Sequence, residues 1–156
     1  MPSAPRMRKA ALDSSVLVSA FLSPQGTTAR LLTMAGRGAF VMACSPPILD
    51  ETAGVLLRPR FLSRYGHSAL TVRRYIEAIT TLSDLVIDLP DLMGAVPLDP
   101  KDDMVVATAV AAGAEVLVTG DRRHLLSLGR YRAIRILGPR EFLDELAAAG
   151  DDAAGR

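Results

Sequence analysis

The chain has 156 residues, 49% of them hydrophobic, and a formal net charge of +1 at pH 7. This size suits one domain, and the apolar fraction is sufficient for a core without disulfides or a structural metal. The near-neutral charge excludes a strong overall field that would attract nucleic acid, and the single cysteine excludes a disulfide framework within the chain.

The beginning of the chain raises the question of export, because Arg6, Arg8 and Lys9 precede a short apolar stretch. Asp13 interrupts that stretch early, and no long uncharged run follows it. We therefore expect no signal peptide and no membrane span. The lone cysteine, Cys44, lies in an apolar run and is predicted to be buried, which also favours a reducing cytoplasm.

Short apolar runs alternate with helical patterns along the chain, as is typical of strands that are buried on both faces of a parallel sheet. The predicted strands are 9–13, 40–44, 85–88, 115–119 and 133–137. The predicted helices are 15–22, 27–36, 47–57, 68–83, 102–113, 122–128 and 140–148.

This alternation predicts right-handed crossovers and a three-layer α/β/α sandwich around a mostly parallel, five-stranded sheet. We expect one domain over residues 8–148. Residues 1–7 and 149–156 are predicted to be a disordered extension and a disordered tail, because both are short and consist mostly of small or polar residues.

Four acidic residues stand where an apolar run gives way to a helix: Asp13, Glu51, Asp103 and Asp121. Each has a structural explanation, since Asp is a good helix N-cap and acids in a first turn complement the helix dipole. Capping does not explain why all four fall at one edge of the predicted sheet. Carboxylates gathered there repel one another unless a cation neutralises them, and oxygen ligands suit Mg²⁺.

The helix predicted at 102–113 is apolar on nearly every side and should be buried centrally. Its first turn carries both Asp102 and Asp103, so these carboxylates are expected to face an interior cleft. Either one is a candidate at this stage.

Arginine supplies sixteen of the eighteen cationic residues. A GC-rich genome explains such a bias without any function, but arginine also binds phosphate with a planar fork. The local clusters are Arg58 with Arg60 and Arg64, Arg73 with Arg74, and Arg122 with Arg123. These clusters are candidates to follow a nucleic-acid backbone.

Together these motifs resemble the PIN-domain ribonucleases, and most closely the VapC-like toxins of bacterial toxin–antitoxin pairs. The resemblance covers roughly residues 8–146. The segments that carry it are Ala-Leu-Asp-Ser-Ser at 11–15, Ser-Pro-Pro-Ile-Leu-Asp-Glu at 45–51, Leu-Leu-Arg-Pro-Arg-Phe at 56–61, Asp-Pro-Lys-Asp-Asp-Met at 99–104 and Val-Thr-Gly-Asp at 118–121.

The resemblance implies hydrolysis of RNA phosphodiesters by Mg²⁺ or Mn²⁺, with Asp13, Asp103 and Asp121 as metal ligands and Glu51 completing the catalytic acids. Asp102 is an alternative to Asp103. Ser15 and Thr119 would orient water. The family often has Asp-Thr-Asn where this chain has Asp-Ser-Ser, and Arg123 stands where a further acid is common.

The resemblance also implies a cognate antitoxin and a homodimer, for which the apolar stripe in 70–82 is a candidate interface. Arg122 and Arg123 are expected to contact the phosphates of the RNA. His124 is a weaker candidate for a general acid, since the metal mechanism does not need one.

Three other interpretations are weighed against this one. A phospho-receiver domain needs an acidic pair at the first strand and a lysine after the last, and a haloacid-dehalogenase-type phosphatase needs Asp-x-Asp at the first strand; neither pattern is present. A PIN-like domain that binds RNA or a partner without cutting is the main alternative. Retention of all four acids argues against it.

Overall fold

The computed structural model describes residues 7–96 and 102–154, in which helices flank a central sheet. Within these ranges the sheet has six strands: β1 Lys9–Leu12, β2 Val41–Cys44, β3 Asp84–Leu85, β4 Val116–Val118, β5 Arg130–Tyr131 and β6 Ile134–Leu137. Their order is β3-β2-β1-β4-β6-β5, and every pair is parallel except β5 with β6. The predicted α/β/α class with a mostly parallel sheet is confirmed.

The helices follow the strands in alternation, as predicted. They are α1 Ser14–Leu22, α2 Thr27–Gly36, α3 Pro46–Leu56, α4 Pro59–Tyr65, α5 Ala69–Leu82, α6 Asp103–Ala112, α7 Leu125–Leu128 and α8 Pro139–Ala154. Several ends follow from local chemistry. Proline opens α3, where its missing N–H costs nothing, and Gly113 ends α6 with a left-handed φ of 66°.

The core extends over the sheet and the helices that flank it, and it includes α6, the helix predicted to be buried centrally. Val105, Val106 and Ala109 are fully buried, and α6 contacts β1, β2 and β4. The small alanine side chains let the helix approach the strands closely. Cys44 is buried as predicted, and desolvation raises the pKa of its thiol to about 11, so it is a core residue rather than a reactive one.

The predicted five-strand count was wrong by one strand. The missing strand, β5, has two residues and pairs with β6 as a hairpin, too short to show any alternation. The helix α4 was also missed. Its signals are only a proline at its start and Gly66, with φ 71°, at its end, and none of its residues is buried enough to produce an apolar stripe.

Two further boundaries differ from the predictions. Residues 122–124 form turns, so α7 is only four residues long. The last helix continues to Ala154 instead of ending at 148, since the run of alanines at 147–149 favours helix and carries it past Gly150. The predicted extension at 1–7 lies outside the described residues except for Met7, which is exposed, and residues 155–156 of the predicted tail also lie outside them.

The apolar stripe of α5 packs largely within the chain. Val72 and Ile79 are buried, whereas Leu70 and Leu82 at its ends are exposed. In the described part of the chain no helix has both the length and the hydrophobicity that crossing a membrane requires.

The last helix is fixed to the sheet by Glu145. Arg8 Nη2 donates to Glu145 Oε2 at 3.1 Å, Arg135 Nη1 donates to the same oxygen at 3.2 Å, and Arg135 Nη2 donates to Oε1. The hydrogen bonds from Arg135, together with those from Arg8, hold the pKa of the Glu145 carboxyl below its usual value despite partial burial.

We expect Glu145→Gln to lower the melting temperature near neutral pH and to lose this effect in acid. The folded-state pKa lies below the unfolded value of about 4.3, so the contribution is present above that value and disappears as pH falls through the folded pKa. Thermal melts from about pH 7 to about pH 3 measure it, with the exposed Asp144→Asn as the matched control. A difference in melting temperature that stays constant with pH would contradict the assignment.

Candidate metal centre

The candidate site lies at the carboxyl ends of the two central strands, β1 and β4. Leu12 pairs with Val118 in the parallel register, and the amide of Asp13 donates to the Val118 carbonyl at 3.0 Å. The chain leaves β1 towards β2 on one side, while β4 lies on the other side, so the strand order changes direction here. Open α/β sheets bind their ligands at such a point.

Asp13 is held rigidly at this edge. Its side chain is buried, with 4% of its surface exposed. Oδ1 accepts from Ser14 Oγ at 3.2 Å, and Oδ2 accepts from Ser15 Oγ at 3.2 Å and from Thr119 Oγ1 at 2.7 Å. Ser15 and Thr119 therefore direct their hydroxyl protons at Asp13, and they fix its orientation. Their predicted role in orienting water stays a prediction.

Asp121 follows β4 and closes the turn before α7. Its amide donates to Thr119 Oγ1 at 3.0 Å, and its Oδ1 accepts from the backbone amides of Arg123 at 3.0 Å and His124 at 3.2 Å. Its Oδ2 lies 3.3 Å from Nδ1 of the His124 ring. The acid thus caps its turn, and one of its oxygens remains directed away from the backbone.

Opposing effects act on the Asp121 carboxyl. Partial burial raises its pKa, but hydrogen bonds from the Asp102 side chain and from the amides of His124 and Arg123 outweigh burial, so the pKa lies below its usual value. A hydrogen bond between two carboxyl groups requires a proton between them. A divalent cation bound at the same place would supply positive charge and would let both groups ionise.

The two adjacent aspartates at the start of α6 have different surroundings. Asp102 lines the cleft that contains Asp13 and Asp121. Asp103 instead accepts from the amides of Gly94 at 2.8 Å and Val96 at 2.6 Å, and lines a separate cavity beside Leu92. Consecutive helical residues point about 100° apart, and here Asp102 lines the cleft while Asp103 faces the amides of Gly94 and Val96. The structure places the alternative candidate there, and not the one favoured by the resemblance.

The cleft has a volume of about 270 Å³, and four segments of the fold contribute acids to it. These segments are the residue after β1, α3, the start of α6 and the turn after β4, and Val18 and Val55 form the apolar wall. The acids are Asp13, Glu51, Asp102 and Asp121. Glu51 is exposed on α3, at the rim. Arg122 and Arg123 are exposed immediately beyond Asp121.

One further potential ligand emerges from the geometry. A carboxylate oxygen of Asp102, one of Asp121 and a ring nitrogen of His124 all lie within 4.8 Å of one another. Oxygen donors suit Mg²⁺ and Mn²⁺, and imidazole extends the range towards transition metals. The donor set therefore fits a divalent cation. From the sequence, His124 was only a weak candidate for a general acid, because the metal mechanism does not need one. Nothing in the sequence indicates that the turn at 122–124 brings its ring back to Asp121.

Comparison with known proteins shows the family and the fold of this chain. A family model described as the PIN domain matches residues 9–123. An uncharacterized protein of Methanocaldococcus jannaschii is 27% identical over 146 residues, which cover 88% of this chain and 90% of that protein.

Two solved structures share the fold at low sequence identity. A protein of Pyrobaculum aerophilum matches with a TM-score of 0.59 and 20% identity, covering 90% of each chain. A chain of VapBC2 from Rickettsia felis, solved with a DNA fragment from its promoter, matches with a TM-score of 0.57 and 13% identity, covering 83% of this chain and 98% of that chain.

Proposed function

Because this chain belongs to the PIN domain family, we propose that it is a metal-dependent endoribonuclease that hydrolyses RNA phosphodiester bonds. One observation carries the proposal: acids from separate elements line a single cleft at the switch point of the sheet. Helix capping explains any one of these acids, but it does not require them to share a cleft.

Asp13, Asp102 and Asp121 are the proposed metal ligands, with His124 as a fourth donor beside them. When bound, a divalent cation supplies Lewis acidity and lowers the pKa of water. Asp103 leaves the proposed ligand set, since its side chain accepts the amides of Gly94 and Val96 and lines a separate cavity instead of the cleft.

The remaining side chains have proposed roles that follow from their positions. Ser15 and Thr119 hold Asp13 in one orientation, which removes the cost of ordering it when the site is loaded. Glu51, exposed at the rim, is suited to orient water or accept its proton. Arg122 and Arg123 would bind phosphates of the RNA strand beside the acidic cleft, where the acids alone would repel it.

Addition of divalent metal should raise the melting temperature, because a ligand that binds only the folded protein stabilises it by mass action. We expect Mn²⁺ to give a larger shift than Mg²⁺ at the same concentration if His124 is a ligand. Differential scanning fluorimetry measures the shift, with Na⁺ as the ionic-strength control. The same protein preparation should cleave single-stranded RNA in the presence of Mn²⁺, and cleavage should stop when EDTA is added.

The outcomes distinguish the competing functions. A melting curve indifferent to Mn²⁺ together with no cleavage, but with RNA binding retained, would support the alternative of a PIN-like binding domain without catalysis. Cleavage that survives EDTA would refute metal dependence.

The biological setting is proposed from the family. We propose a toxin of a toxin–antitoxin pair that has a cognate antitoxin and acts as a homodimer. The match to a VapBC chain is consistent with this proposal, although the complex with promoter DNA is a property of that protein. The homodimer stays a prediction, since the central residues of the α5 stripe pack within the chain.

A further inference from the structure

The helix α4 contributes almost nothing to the core. None of its residues is buried, and its main contact is with α3. Two of its side chains are nevertheless aromatic, those of Phe61 and Tyr65, and Tyr65 is 45% exposed. A short helix that exposes aromatic surface without packing it needs another explanation.

Four side chains of α4 form an ordered group, here called the α4 platform: Arg60, Phe61, Arg64 and Tyr65. The rings of Phe61 and Tyr65 are stacked, with centroids 5.9 Å apart and an angle of 19° between their planes. Arg60 lies over the Phe61 ring at 5.6 Å, and Arg64 lies over the Tyr65 ring at 5.5 Å. Cationic and aromatic surfaces therefore alternate along one exposed face.

The charge of this face is entirely positive. Residues 57–65 include three arginines and no acid, and the ion pairs among the residues that the structure describes do not involve Arg58, Arg60 or Arg64. The guanidinium groups thus keep their charge available to an anionic partner. An aromatic ring beside such charges provides stacking surface for a nucleobase once the guanidinium over it moves aside, and the displaced arginine then meets a phosphate of the same strand.

The four side chains border a recess of about 230 Å³ that is open to solvent, so a base of a passing strand can enter it from the surface. Stacking needs an unpaired base, because the faces of bases in a duplex are already covered.

We propose that the α4 platform binds a nucleobase of single-stranded RNA beside the scissile bond. This inference rests on the proposed ribonuclease function. It predicts that the RNA substrate has an unpaired nucleotide next to the bond that is cleaved. Val55 lines the acidic cleft and Phe61 follows six residues later, so the two lie within about 20 Å even if the chain between them were extended. The platform is therefore a positioning subsite and not part of the catalytic centre.

Binding of a short, mixed-sequence single-stranded RNA to the full chain tests the proposal, measured by fluorescence anisotropy in EDTA. Phe61→Leu with Tyr65→Leu should weaken binding about tenfold or more and leave its salt dependence unchanged. Arg60→Gln with Arg64→Gln should instead reduce the slope of log affinity against log salt by about 0.7 for each phosphate that the protein no longer neutralises. Affinity for the same RNA in duplex form should change little in the aromatic variant.

The matched control is Arg37→Gln with Arg132→Gln. Both arginines are exposed and precede strands, so they lie at the edge of the sheet opposite the cleft, and Arg132 likewise covers a ring, that of Tyr131 at 5.2 Å. This control should keep the affinity and the salt slope of the unsubstituted protein. If Phe61→Leu fails to fold, Tyr65→Leu alone and the arginine pair carry the test, since those side chains are exposed.

Unchanged RNA affinity in both platform variants, in a protein that still cleaves RNA with Mn²⁺, would overturn the platform and leave the proposed function standing. An unsubstituted protein that neither binds nor cleaves RNA would overturn both. A change of oligomeric state in the aromatic variant, without loss of RNA affinity, would identify the surface as a contact between copies and would also overturn the proposal.

Discussion

Asp102→Asn and Asp121→Asn should each reduce RNA cleavage by more than about 100-fold. Loss of a residue that only supports a ligand typically costs about 10–100-fold, and these two acids are proposed as direct ligands. Asparagine keeps the shape of the side chain but removes the charge that attracts the cation.

The same two variants should melt at almost the temperature of the unsubstituted protein in metal-free buffer. Asp102 makes no capping hydrogen bond with its side chain, and asparagine at 121 keeps an oxygen for the amides of Arg123 and His124. The stabilisation of both variants by Mn²⁺, however, should be largely lost.

Asp144→Asn on the exposed face of α8 is the matched control for the loss of one negative charge. It should keep full cleavage and the full Mn²⁺-induced shift. Normal cleavage by both Asp102→Asn and Asp121→Asn would remove the basis for the proposed metal site.

The fold was largely predictable because most of its strands are continuous apolar runs. Runs such as 9–13 and 115–119 correspond to the central strands β1 and β4, whose pairing brings Asp13 next to the turn that holds Asp121. Two acids of the cleft could therefore be predicted from strand ends alone. The elements that were missed, β5 and α4, are short and expose much of their surface, so burial leaves no periodic pattern in their sequences.

The rest of the site could not be predicted, because it depends on contacts that are distant in sequence or on fine rotation. A rotation of about 100° about the helix axis decides whether Asp102 or Asp103 faces the cleft. That rotation is fixed by amides from residues 94 and 96, which belong to an irregular segment without a recognisable motif. The proximity of His124 to Asp102 likewise depends on packing between α6 and the turn after β4.

Asp103→Ala should destabilise the protein by about 2–4 kcal/mol, in contrast to the effect at position 102. The buried Asp103 carboxylate accepts two backbone amides, and its removal leaves both donors without their acceptor. For a chain of this length, such a loss lowers the melting temperature by roughly 5–15 °C. Asp103→Asn should lose less, because its single carbonyl oxygen still accepts one of the two amides.

Mn²⁺ should nevertheless raise the lowered melting temperature of Asp103→Ala, because the Asp103 side chain faces the loop and not the cleft. Asp102→Asn is the reciprocal control, with normal stability and no metal response. The opposite result, in which substitution at 103 abolishes the metal response and substitution at 102 preserves it, would show that α6 presents the other carboxylate to the cation. The pair of variants thus separates the acid that holds the loop from the acid that serves the site, although the two are adjacent in sequence.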